Sequence, residues 1–87
     1  TGQYIVKTHG VPAHAGLEPE KGASAILELA RQIERLQAMN DVSRGTTVNA
    51  CTIRGGTTSN VIPEFAEAEV DVRFASMSEA ERIDREI

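Results

Sequence analysis

The sequence predicts an α+β sandwich: an antiparallel sheet with two helices on one face. Three observations lead to it. From Glu67 to Phe74 the chain alternates strictly, with Ala68, Val70, Val72 and Phe74 set against Glu67, Glu69, Asp71 and Arg73. A period of two describes a strand buried on one face and wet on the other. Between 22 and 39, Ile26, Leu29, Ala30, Ile33 and Leu36 recur at the i, i+3, i+4, i+7 spacing of an amphipathic helix. Further strand-like and helix-like segments then give the order β-α-β-β-α, in which two helices cover one side of a sheet.

Taken in order, Gln3–His9 is rich in β-branched and aromatic residues and reads as a strand. Gly10-Val11-Pro12 breaks it, because proline cannot donate to a ladder and glycine tolerates a positive φ. Ala13-His14-Ala15-Gly16 follows, an imidazole left sterically bare by small neighbours. The loop Leu17–Gly22 leads into the first helix, expected over about 22–39, with Pro19 in its opening turn and Glu18 and Glu20 complementing its positive end. Glu28, Arg31, Glu34 and Arg35 occupy the side opposite the apolar stripe. Asn40-Asp41 ends that helix, and 41–45 is a polar connector.

Thr46–Arg54 is the second strand. Its alternation is imperfect: Val48 and Ala50 share a face and Ile53 falls on the other, which a bulge would reconcile. Thr46, Thr47 and Thr52 suit an edge position. A glycine-led polar loop, Gly55 to Pro63, then feeds the third strand. Ser76-Met77-Ser78-Glu79 fits a capping box opening a second helix, with Ala80, Ile83 and Ile87 on its buried side. A strand after that helix would complete a ferredoxin-like fold. With this last strand missing, one edge of Gln3–His9 is expected to stay open.

The 87 residues make a single domain, 1–87, whose core is modest, since a chain of this size buries only about 60–65% of its unfolded surface. A partner subunit or neighbouring domain is therefore expected. The chain starts without methionine and stops in mid-helix, and it reads as a piece excised from a larger protein. A net charge of −4 with no basic cluster argues against nucleic acid and against an anionic membrane surface. No apolar run approaches the ~20 residues of a membrane span. The sequence leaves the location open, with the cytoplasm favoured. Cys51, the only cysteine, excludes an internal disulfide and reads as a small buried hydrophobe.

Two histidines, His9 and His14, are too few for a metal site within the chain, and no metal is expected in it. No nucleophile elbow or phosphate-binding glycine loop occurs. What remains is a set of recognition groups, His14, Asn60 and Arg73, each able to bind an anionic or polarised oxygen. A guanidinium on a rigid strand and an amide on the loop feeding it can converge on a small carboxylate. On the residues alone, the plainer reading is stronger: Arg73 answers its acidic neighbours and Asn60 caps a turn.

Three segments bear a family resemblance: Pro12-Ala13-His14-Ala15-Gly16 leading into Pro19–Ala25, Arg54–Pro63, and Glu69-Val70-Asp71-Val72-Arg73-Phe74. In this order and spacing the chain resembles the dimerisation, or lid, domain of the zinc-dependent aminoacylase and carboxypeptidase superfamily, and looks closest to glutamate carboxypeptidase. The resemblance covers nearly the whole chain. It implies a zinc metallopeptidase or deacylase that hydrolyses an amide next to an amino acid carboxylate. Two zinc ions would sit in a separate catalytic domain, and this chain would not be catalytic alone. It further implies that His14 crosses into the partner subunit's active site to donate a hydrogen bond to the oxyanion, while Asn60 and Arg73 bind substrate. A homodimer through the second strand and first helix is expected. Two other classes compete with this reading: a small-ligand regulatory module resembling the ACT domains, and a pure protein-interaction domain.

Overall fold

The computed structural model describes residues 2–86. Its elements are β1 (Gly2–His9), α1 (Ala25–Gln37), β2 (Thr47–Gly55), β3 (Phe65–Arg73) and α2 (Met77–Glu86). The strands lie in the order β1-β3-β2 with both pairings antiparallel. This is the α+β arrangement expected of a ferredoxin-like domain. Among the described residues the far edge of β1 has no neighbour, as predicted for a sheet without its last strand.

Register explains the two faces. Val6 and Ile53 flank Ala68, Tyr4 and Ala50 flank Val70, and Val48 adjoins Val72, all on the helix side. The outer face carries Lys7 and Arg54 either side of Glu67, and Ile5 and Thr52 either side of Glu69. Glu67 was expected to be wet but is 9% exposed. It sits in the central strand, flanked on both sides, and its carboxylate is ion-paired to Arg54.

The interior is split in two. Leu36, Met39, Val48, Val70, Val72 and Ile83 form one cluster, and Ala25, Leu29, Ala66 and Ala68 form the other. The second is built of small side chains because α1 starts close to the sheet. Thr8 Oγ1 donates to the Ala25 carbonyl at 2.7 Å, and a Cβ on Gly10 would lie 2.0 Å from the Ala23 carbonyl oxygen. Gly10→Ala is therefore expected to cost about 1–3 kcal/mol or more by overpacking. Thermal or denaturant unfolding checks this, and an unchanged midpoint would refute the close approach.

Two expectations about α1 need correction. Pro19–Lys21 forms a separate short 3-10 turn, and the helix starts after it, with Ser24 Oγ accepting from Leu27 N at 3.1 Å. The cause is an extended link at Ala23, whose N–H and C=O both pair with Val11. The buried face is also rotated from the predicted stripe. Ala25, Leu29, Leu36 and Met39 face the sheet, whereas Ile26 is 42% exposed and Ala30 is exposed. Ile26, Ala30 and Ile33 are left as an apolar flank running beside β2.

In α2 the predicted cap is half formed. Ser76 Oγ accepts from Glu79 N at 3.3 Å, but the Glu79 carboxylate turns inward. It accepts from Thr46 Oγ1 at 2.6 Å and from Arg82 Nη2 at 3.0 Å. Hydrogen bonds from Arg82 and then Thr46 hold its pKa below the ordinary glutamate value. Thr46, assigned to an edge by composition, is fully buried by this bond. Ile83 is buried as expected, while Ile87 lies outside the described residues.

β2 carries the predicted bulge, a register shift between Ala50 and Thr52. The bulge displaces Cys51 from the alternation, so its thiol is exposed, contrary to the expectation of burial.

Candidate functional site

His14 stands on the segment between β1 and α1, held against the β2–β3 loop by an isolated bridge to Val61. Ala15 N donates to the Asn60 carbonyl at 2.9 Å, and Ile62 N donates to the Ala13 carbonyl at 2.8 Å. Two irregular segments, each with little core of its own, are thus tied into one surface. The His14 side chain is exposed, but its ring is not free to choose a tautomer. Nδ1 accepts from Gly16 N and Leu17 N, both at 3.1 Å. With Nδ1 an acceptor twice over, the proton resides on Nε2, which points outward as a donor. Gly16 serves this geometry, since a Cβ there would meet the His14 ring at 3.5 Å.

Asn60 is oriented in a comparable way. Thr58 Oγ1 donates to its Oδ1 at 2.8 Å, which leaves the amide NH2 as the outward group. Beside these residues lies a cleft of about 370 Å³ lined by Pro12, Arg54, Gly56, Val61, Ile62 and Phe65. Gly56 has φ +84°, a conformation that glycine adopts without penalty.

Arg73 is elsewhere. It ends β3, while Asn60 lies in the loop before that strand begins. Eight residue steps along a strand span roughly 26 Å, and the domain is a slab of 50 × 19 × 16 Å with the strands along it. His14 and Asn60 are together, but Arg73 does not converge with them on one chain. Arg73 Nε donates to Asp71 Oδ2 at 3.1 Å, so it answers one acidic neighbour as the plainer reading proposed. Its guanidinium is nonetheless two-thirds exposed, beside a shallow cleft with Gly2, Gln3 and Asp71.

His9 does not join His14. Its ring stacks edge-on against Phe65, with centroids 5.6 Å apart. Among the described residues no group of three or more His, Cys, Asp or Glu could hold a metal ion. The donor set does not fit a zinc site. No helix is long and apolar enough to cross a membrane.

Sequence reasoning missed two residues. Asn40 and Gln37, read as the end of a helix, reach across to the backbone of β2. The Asn40 amide exchanges two hydrogen bonds with Val48, at 2.7 and 2.8 Å, and Gln37 Oε1 accepts from Ala50 N at 3.0 Å. Nothing in the local sequence separates such an edge contact from an ordinary helix terminus.

Residues 2–87 match the family model described as a peptidase dimerisation domain. A probable carboxypeptidase of Ajellomyces dermatitidis is 36% identical over 85 residues, covering 84% of this chain and 19% of the relative. A p-aminobenzoyl-glutamate hydrolase homolog of Haemophilus influenzae is 35% identical over 74 residues, covering 84% of this chain and 18% of the relative. Among solved structures, the aminobenzoyl-glutamate utilization protein of Klebsiella pneumoniae superposes with a TM-score of 0.87 at 30% identity, over 97% of this chain and 22% of that one. The chain thus spans about a fifth of the length of the proteins it matches.

Proposed function

The chain belongs to the peptidase dimerisation domain family, and on that premise we propose that it is the self-pairing lid of a longer zinc-dependent hydrolase. That hydrolase cleaves an amide next to an amino acid carboxylate. Both zinc ions belong to a catalytic domain outside these residues. The lid supplies His14 as a donor to the developing oxyanion, and Asn60 and Arg73 as ligands for the substrate carboxylate or backbone amide. The regulatory-module alternative shares the element order but not the family match.

The observation that carries this reading is the separation of His14 and Asn60 from Arg73 by the length of β3. One chain cannot close both groups on one small molecule. Two chains can. β2 is a sheet edge, flanked by the exposed apolar residues Ile26, Ala30 and Ile53. If two copies pair antiparallel along β2, a C2 contact is self-complementary and the strands run oppositely. The start of one β2, which is paired to Arg73, then approaches the end of the other, which leads to Asn60 and His14. Each composite site takes His14 and Asn60 from one chain and Arg73 from its partner.

Sedimentation equilibrium of the full-length protein tests the pairing. Twice the monomer mass is expected at micromolar concentration. Ile53→Asp, which buries a charge in the contact, is expected to weaken Kd by at least about tenfold. A wild-type monomer would overturn the reading.

A further inference from the structure

The free edge of β2 is not uniformly available. At its first half, Val48 N donates to Asn40 Oδ1 and the Val48 carbonyl accepts from Asn40 Nδ2. Ala50 N donates to Gln37 Oε1. Asn40 Nδ2 also donates to the Gln37 carbonyl at 3.0 Å, which anchors the amide to the end of α1. Two side chains at the end of α1 thus occupy the backbone groups that a neighbouring strand would use. Past the bulge, Cys51 to Gly55 are all exposed and carry no such cover among the described residues. Outward-facing strand groups without partners are a template for a further strand.

We propose that Asn40 and Gln37 are register keys: they confine the strand-to-strand contact between two copies of this chain to Cys51–Gly55. This rests on the self-pairing reading above. A strand running from Thr47 to Gly55 has Cys51 at its middle. Unobstructed antiparallel pairing would put the two-fold axis there, with Cys51 opposite its counterpart. With the first half covered, the axis moves to Ile53, and Cys51 lies opposite the partner's Gly55. In an antiparallel pair, moving the axis by two residues slides one copy past the other by four, roughly 13 Å. That offset sets where one chain's His14 arrives relative to the other's Arg73. A register slip of this size would separate the halves of each composite site, so the keys serve function as well as guarding an edge.

Disulfide trapping reads the register, because a bridge needs Cα atoms within about 7 Å. The full-length protein is used with Cys51 as its only cysteine and copper–phenanthroline as oxidant. Cys51 is expected to resist cross-linking, whereas the variant Ile53→Cys with Cys51→Ser is expected to cross-link across the axis. In the double variant Asn40→Ala, Gln37→Ala, cross-linking through Cys51 is expected to rise at least about tenfold. Sedimentation is run alongside. A wild-type monomer removes the self-pairing reading itself. A wild-type dimer that already cross-links through Cys51, or a key-less dimer that still does not, overturns the register keys alone. If the key-less variant fails to fold, the comparison of Cys51 with Ile53→Cys decides the matter.

Discussion

Co-expression of the His14→Ala and Arg73→Ala variants of the full-length protein is expected to recover turnover that neither variant has alone. The reasoning follows from where the two residues lie. His14 and Arg73 are separated by the length of β3 on one chain, and antiparallel pairing brings each to the other's counterpart. In a mixed dimer one site receives both damaged residues and the other receives neither. Random pairing makes half of the dimers mixed, so activity returns to about a quarter of wild type in a C2 assembly. If His14 and Arg73 served the same site from the same chain, every site in a mixed dimer would keep one lesion and nothing would return. The experiment needs no knowledge of the physiological substrate beyond one that is turned over.

His14→Ala alone is expected to lower kcat by about 10²–10³ with little change in KM, because a fixed donor to an oxyanion acts in the transition state and not in the ground state. The imidazole suits that role in this chain for a specific reason. Two backbone N–H groups, from Gly16 and Leu17, saturate Nδ1, so the proton is already on the outward nitrogen before substrate arrives. The side chain is exposed, so its removal should leave the unfolding midpoint unchanged. Wild-type turnover in this variant would take His14 out of the mechanism. Loss of activity with loss of fold would make it a structural residue. Arg73→Ala should instead raise KM, since a carboxylate ligand also holds the ground state.

The fold was legible where one periodicity dominated. Ala68, Val70 and Val72 alternate with charges, and they face the helices as that pattern required. Ser76 announced the second helix from its spacing to Glu79. The helix start was misread because Pro19 suits any helical first turn, and only the pairing of Ala23 with Val11 reveals that the chain is still extended there. Composition misassigned Cys51 and Thr46 for opposite reasons. A bulge pushed an apolar-looking residue outward, and a buried carboxylate drew a hydroxyl inward. The site residues were legible as chemistry but not as geometry. Asn60 and Arg73 are thirteen positions apart, and that number alone does not distinguish a loop folded back on its strand from one at the far end of it.

The unequal partition of the interior has a consequence for heat. Large aliphatic side chains fill the end of the slab near α2, whereas alanines and one leucine fill the end beneath His14 and Asn60. Apolar area sets how much free energy local opening must overcome. On warming, the thin end should fray while the thick end still holds the strands together. The protein would then fall silent at temperatures where its spectroscopic signature remains that of an intact domain.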